Sequence, residues 1–360
     1  MFSSSLFAIP RRFSILAIAV ATTLAASSAR SQSETAPFDI VLRHGTVLDG
    51  TGGPRFKADV GIRGATIAAV GDLSAARAGL EIDAASLFVT PGFINLHSHA
   101  TPGGLVRAEN MLTQGVTTEI LNADGSGSTD LAAQLEGLAR AGLAVNVGAN
   151  IGFNSIWAEV MGGSDARPSP EAIERMRALI RLGLEQGAWG VSAGLDYKPA
   201  YFATTAEVES VVSAARPWHT IFTNHERLTP ESGYSSRVGI AETIAIGEHT
   251  GLSPLITHMK AQGTEQKTAP ALLAMMDAAT KRGTPTAADV YPYLAGQSGL
   301  AALTIPGWAL DGGREAMLLR FKDPELRARI RTDAERAMNA RFGGPQGVYA
   351  IGHATELVDA

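Results

Sequence analysis

Apolar residues along the chain follow two rhythms, and the change falls near residue 88. From Phe38 to about Val89 the apolar runs are short and broken by turn residues. They are Asp39-Ile40-Val41-Leu42, Gly45-Thr46-Val47-Leu48-Asp49-Gly50, Asp59-Val60-Gly61-Ile62 and Thr66-Ile67-Ala68-Ala69-Val70. Runs of this length with glycine at the breaks predict strands, and several in succession predict a small β-sandwich. After Phe88, strand-like runs alternate with stretches of helical periodicity at 130–141, 170–186, 206–215, 238–250 and 270–283. That alternation predicts parallel strands joined by crossover helices.

Seven such strands are legible, at 88–97, 117–123, 144–151, 190–195, 220–225, 255–258 and 286–291. An α/β fold with this many repeats is either a (β/α)8 TIM-type barrel or an open doubly wound sheet. The second lacks a Gly-x-Gly-x-x-Gly turn after its first strand. The barrel is therefore the expected architecture, with a small N-terminal β-sandwich domain before it. Helical sequence from Asp323 to Ala340 and a short apolar run at 348–351 follow the seventh strand. Neither supplies an eighth strand, so the expectation is a barrel incomplete at its C-terminal side, as in a truncated chain. The domain assignment is 1–31 leader, 32–87 sandwich and 88–360 barrel.

The leader is a different kind of sequence. Arg11 and Arg12 precede the apolar run Phe13 to Ala26, which ends in Ala26-Ser27-Ser28-Ala29-Arg30-Ser31. Charge, apolar stretch and small residues in that order are a cleavable secretory signal, with the paired arginines raising a twin-arginine type. The apolar run is short for a bilayer span, so no stable membrane anchor is expected and the location is periplasmic or secreted. Cysteine is absent from the sequence, so any metal must be held by nitrogen and oxygen. Lys and Arg number 30 against 35 Asp and Glu, without a basic run, which argues against a nucleic-acid partner.

The chemistry concentrates at the strand ends. In Pro91-Gly92-Phe93-Ile94-Asn95-Leu96-His97-Ser98-His99 the two histidines are spaced i, i+2, which on a strand puts both on one face. Two imidazoles so placed can chelate a metal or can simply hydrogen-bond in a polar interior. His225 ends the fifth predicted strand and His258 the sixth. A barrel gathers its chemistry at the carboxyl ends of its strands, and four of the eight histidines lie there. His44, His219, His249 and His353 have no such placement and are read as surface or packing residues.

These features resemble the amidohydrolase superfamily, through the opening run 38–49, the Pro-Gly-Phe-Ile-x-x-His-x-His strand, Gln114-Gly115-Val116-Thr117-Thr118 and the single-histidine strand ends. Gly187-Ala188-Trp189-Gly190-Val191-Ser192-Ala193-Gly194-Leu195-Asp196-Tyr197, His258-Met259-Lys260 and Asp289-Val290-Tyr291-Pro292-Tyr293 narrow it to the N-acyl-D-amino-acid deacylases, or D-aminoacylases, over residues 38 to 335. The resemblance implies a composite sandwich-plus-barrel domain and zinc-dependent amide hydrolysis. It implies a principal zinc site at His225 and His258 and a weaker second site at His97 and His99. The family's bridging ligand is commonly a cysteine, and here Asp124 of Asn122-Ala123-Asp124-Gly125 stands in that place. Asp124 is thus the candidate bridge, in a string that also reads as an ordinary turn. A carboxylate would also tolerate manganese. Glu119 is a reserve candidate.

Lys260, Arg227, Tyr197 and Tyr291 match family positions near the substrate, a small N-acyl amino acid. The family's general base is an aspartate of the eighth strand, so no catalytic base is assigned here. Two positions depart from the pattern. Asn95 stands where the superfamily often has Asp, and Gly152-Phe153-Asn154-Ser155-Ile156-Trp157 turns a polar wall aromatic. The expected activity is hydrolysis of a C–N amide bond outside peptide chains, foremost deacylation of an N-acyl-D-amino acid. A cyclic amidase of dihydropyrimidinase or hydantoinase type and a catalytically inactive metal-binding remnant are the alternatives. The sequence leaves the acyl group, the loaded metal and the oligomeric state open.

Overall fold

The structure is a computed structural model that describes residues 38–348. The leader, the end of the 348–351 run and His353 lie outside the described residues. The chain divides into two compact units, one ending at Pro91 and the other starting at Gly92.

The first unit is a single sheet. Its strands are β1 (Phe38–Val47), β2 (Phe56–Arg63), β3 (Thr66–Gly71), β4 (Ala78–Asp83) and β5 (Phe88–Val89), in the order β3-β2-β1-β4, with β5 also pairing β1. Antiparallel β1 and β2 pair Ile40 with Ile62 and Leu42 with Val60, while parallel β4 sets Leu80 and Ile82 beside Ile40 and Leu42. Paired residues share a face, so these side chains form one apolar surface. Leu80, Ile82 and Val70 on it are 52%, 42% and 49% exposed. Among the described residues this unit supplies one sheet, a single layer of the expected sandwich. Among the described residues no second sheet covers that face.

The second unit is an arc of parallel strands: β6 (Phe93–Asn95), β7 (Val116–Leu121), β8 (Asn146–Ala149), β9 (Ile151–Gly152), β10 (Gly190–Gly194), β11 (Ile221–His225), β12 (Ser253–Ile256) and β13 (Ala287–Ala288). β8 and β9 are consecutive pieces of one run around Asn150. β8 pairs β7 and β9 pairs β10, which joins the two sheet segments into an arc ordered β6-β7-β8/β9-β10-β11-β12-β13. All seven expected strand positions are present. Among the described residues no eighth strand pairs β6 with β13, and the sheet is not closed into a barrel. One boundary is corrected. The run 88–97 divides, with Phe88–Val89 pairing β1 and only Phe93–Asn95 joining the arc. The turn residues Pro91-Gly92 interrupt it, since proline cannot donate to a ladder.

The crossover helices start where their caps dictate. Asp130 accepts from the Ala133 amide ahead of Leu131–Ala141, and Ser169 from the Ala172 amide ahead of Pro170–Glu185. Thr204 and Glu207 make a reciprocal capping box ahead of Thr205–Val212, which satisfies two amides that the first turn would leave bare. The main core lies between β9 to β11 and these helices, where Ile151, Phe153, Trp157, Met176, Val191 and Phe222 are fully buried.

A second anchor is ionic. The helix Pro324–Phe342 sends Arg341 to Asp196 just beyond β10, with Nη2 and Oδ2 2.9 Å apart and side chains 8% and 5% exposed. Removing one partner leaves the other charge buried and uncompensated. Arg341→Leu is predicted to cost about 3 kcal/mol or more of stability, read from urea unfolding midpoints, and Asp196→Leu in the same chain should restore part of it. A loss under about 1 kcal/mol would show that the pair is not a structural anchor.

Candidate metal centre

The four histidines arrive from three strand ends. His225 is the last residue of β11, and His258 follows β12 by two residues. His97 and His99 lie past the end of β6 and not on the strand. Asn95 Oδ1 accepts from the His97 amide at 3.2 Å, an Asx-type turn that bends the chain there. The i, i+2 argument thus gave the right convergence for an incorrect reason. The bend, and not the pleat, brings the two Nε2 atoms to 3.1 Å.

Asp124 sits at the centre. It belongs to the turn Ala123–Gly125 after β7, with φ 53°, the left-handed region that Asp tolerates better than most residues. β10 holds that turn in place. Ser192 Oγ donates to the Asn122 carbonyl at 2.5 Å and accepts from the Gly125 amide at 3.2 Å. A Cβ on Gly194 would lie 2.6 Å from the Asp124 carbonyl oxygen, so glycine is what permits this approach. Asn154 straps the same point, its amide exchanging hydrogen bonds with Gly194 N–H and C=O at 3.0 and 2.9 Å.

The carboxylate divides its oxygens between two histidine pairs. Oδ1 is 3.7 Å from His225 Nδ1 and 3.7 Å from His258 Nε2. Oδ2 is 3.3 Å from His99 Nε2 and 3.7 Å from His97 Nε2. Only the His99 contact is near hydrogen-bonding range. Asp124 Oδ1 and His225 Nδ1 are both buried without a hydrogen-bond partner, which in a polar site requires an explanation. A shared cation supplies one. Two ligand atoms each about 2.1 Å from a tetrahedral zinc lie about 3.4 Å apart, close to these separations. His97, Asp124 and His258 also offer ligand atoms within 4.8 Å of one another. The donor set therefore fits a metal. Oδ1 with His225 and His258 would form one position, and Oδ2 with His97 and His99 the other.

The electrostatics keep the ligands bare. Burial holds His97 below the ordinary histidine range and His225 well below it, and burial followed by the neighbouring His225 pushes His258 down to about 2. Their rings are neutral at neutral pH, each with one nitrogen free of a proton, as metal binding requires. His99 is raised by its hydrogen bond to Asp124. Burial opposes ionisation of Asp124, yet the His99 hydrogen bond and the neighbouring imidazoles hold its carboxyl below the usual range.

The expected substrate residues separate. Lys260 Nζ is 2.8 Å from His258 Nδ1 and 5.0 Å from the centre of the Tyr291 ring, and the Tyr197 ring packs 4.5 Å from that of His225. These three border the centre. Arg227 does not. Its guanidinium is used up on Glu242 at 3.0 and 3.2 Å and on the carbonyls of Tyr201 and Ala203, which makes it a structural clamp. Glu119 is fully buried and accepts from Asn95 Nδ2 at 2.8 Å, outside the cluster. Phe153 and Trp157 are core residues, so the expected aromatic wall does not face the centre. His44 and His249 pair with Asp83 and Glu209 as expected for surface histidines.

Two carboxylates escaped the sequence analysis. Asp196 Oδ2 lies 3.9 Å from His225 Nε2, behind the nitrogen that faces away from Asp124. Asp289, just past β13, accepts from the His258 amide, and its Oδ2 is buried and unpartnered. Both sit at strand ends beside the histidines, the signal that could have found them.

No family model matches the chain. The chain is 33% identical over 287 residues to an N-acyl-D-glutamate deacylase of Alcaligenes xylosoxydans xylosoxydans, covering 71% of this chain and 57% of that protein. It is 33% identical over 295 residues to a D-aminoacylase of the same organism, covering 74% and 60%. A solved D-aminoacylase, studied for its binuclear metal centre, superposes with a TM-score of 0.66 at 32% identity over 72% of this chain and 60% of that one. The Bordetella bronchiseptica N-acyl-D-glutamate deacylase, solved with zinc and a phosphonate mimic of the tetrahedral intermediate, superposes at 0.63 with 29% identity, covering 71% and 59%. This chain thus spans about three fifths of the length of these relatives.

Glu226, next to His225, is 1% exposed, and burial pushes its carboxyl up to about 8. The folded protein then keeps a proton that the unfolded chain releases near pH 4.5. That contribution to stability is complete below about pH 4.5 and is lost as pH rises through 8. In metal-free protein, Glu226→Gln should gain in melting temperature relative to the parent between pH 5 and pH 8. Parallel pH profiles would contradict it.

Proposed function

The chain belongs to the N-acyl-D-amino-acid deacylase family of the amidohydrolases, and on that premise we propose that its metal centre hydrolyses the amide of an N-acyl-D-amino acid. Water adds its oxygen to the acyl carbon, the C–N bond breaks, and the amine leaves with a proton. The observation that carries the reading is Asp124, one buried carboxylate between two histidine pairs.

His225 and His258 with Asp124 Oδ1 would hold the principal ion, and His97 and His99 with Oδ2 a second. Zinc suits the nitrogen and oxygen donors, and the carboxylate would also accept manganese. When bound, the ion supplies Lewis acidity that polarises an amide carbonyl and makes water acidic near neutral pH.

The chain's own residues supply position and charge. Lys260 reaches the rim from beyond β12, where its ammonium can take the free carboxylate of an acyl amino acid. The Tyr197 and Tyr291 rings flank the histidines and wall the substrate in. Asp196 lies 3.9 Å from the His225 nitrogen that faces away from Asp124, and Asp289 fixes the backbone at His258 by accepting its amide. The same premise takes the open arc as strands of a (β/α)8-type barrel, whose chemistry gathers at the carboxyl ends.

Zinc-loaded protein is predicted to release amino acid from N-acetyl-D-amino acids, to stop when chelated and to recover with zinc. Lys260→Met should raise KM for these substrates about tenfold or more, from loss of a charged hydrogen bond worth roughly 1.5–3 kcal/mol, and much less for the corresponding uncharged amides. Chelator-insensitive turnover, or cleavage of hydantoin rings without any open-chain amide, would overturn the proposal.

A further inference from the structure

A cleft of about 470 Å³ opens beside His99, between the chain that follows β6 and the helix Leu131–Ala141. That volume falls within the range of small-molecule sites. Most of the polar groups along it are already engaged. Asn122 and Gln134 exchange two amide hydrogen bonds of 2.9 Å, Ser126 Oγ donates to the Ala123 carbonyl at 2.7 Å, and Ser98 Oγ accepts from the Ala100 amide at 3.1 Å. The rest of the lining is carbon, with the largely buried Leu121 and Leu138 beneath and the solvent-exposed Ala133 and Gly137 beside them.

Gly137 lines the cleft in mid-helix. Glycine there destabilises a helix by about 1 kcal/mol relative to alanine. Neither backbone nor packing demands it. Its φ is not in the left-handed region, and a Cβ would meet nothing within 4 Å. Ala133, one turn earlier on the same helix face, is also small. The two leave open a volume that larger side chains would fill.

The cleft's position relative to the charge matters. Lys260 bonds His258, the His258 ring lies 4.9 Å from that of His97, and His97 bonds His99. Lys260 therefore borders the centre at His258 and the cleft borders it at His99, two different members of the one cluster.

We propose that this cleft receives the acyl chain, so that the substrates are N-acyl amino acids bearing an unbranched apolar acyl group longer than acetyl. The inference rests on the deacylase reading for its chemistry and on the cleft for its selectivity. Methylenes entering an apolar cleft should each raise affinity about two- to fourfold.

The test has two arms. In the first, kcat/KM is measured with zinc-loaded protein for N-acetyl-, N-hexanoyl- and N-octanoyl derivatives of one D-amino acid. In the second, binding of acetate and octanoate to metal-free protein is followed by calorimetry. The parent should favour octanoyl over acetyl substrate by tenfold or more and should bind octanoate but not acetate. Gly137→Leu should bring the octanoyl-to-acetyl ratio near one and abolish octanoate binding, with Gly137→Ala intermediate. Unchanged or raised melting temperatures in both variants would show that folding is not the cause. A flat chain-length series with acetyl turnover intact overturns the cleft and leaves the deacylase reading standing. Octanoate binding that depends on Gly137, without hydrolysis of any acyl amino acid, supports the cleft and removes that reading. Octanoyl preference that survives Gly137→Leu overturns the proposal.

Discussion

The site depends on a single carboxylate kept where carboxylates are costly. Asp124 is almost buried, has its closest imidazole contact with His99 at 3.3 Å, and turns each oxygen toward a different pair of imidazoles. Taking an ion out of water costs several kcal/mol unless a charge or hydrogen bonds compensate it. The polypeptide provides a left-handed turn, the Ser192 clamp and the glycine at 194 to hold it there. It leaves Oδ1 without a partner. A cation is the compensating group this arrangement lacks, which is why the geometry reads as a metal centre and not as a buried polar network.

Much of this was legible in the sequence, and unevenly so. The helices were readable from their periodicity, and Asp130, Ser169 and Thr204 cap three of them in the structure. The strand ends at His225 and His258 were readable because parallel strands are apolar runs that stop where polar residues begin. The first strand of the arc is shorter than its sequence suggests, since one apolar run from Phe88 to Leu96 hides a division that only pairing partners reveal. What faces the N-terminal sheet was illegible for a related reason. Alternation shows that a face is apolar, but not what covers it.

Long-range partners were the least legible. Arg227 and Lys260 look alike in sequence, and only the fold shows that Glu242 and two carbonyls occupy the first while the second turns its ammonium to His258 beside the centre. Asp196 and Arg341 meet across 145 residues, and no local pattern marks that pair. Phe153 and Trp157 suggested a changed substrate wall, but their burial puts them in the core.

The central claim, that Asp124 joins two histidine pairs into one metal centre, is tested most directly by zinc titration of the parent protein and of Asp124→Ala against a chelating indicator. The account predicts that loss of the shared carboxylate weakens binding at both positions, on the order of a hundredfold at the tighter one, since even partners behind the ligands are worth about 10- to 100-fold. Unchanged zinc stoichiometry and affinity in Asp124→Ala would contradict it.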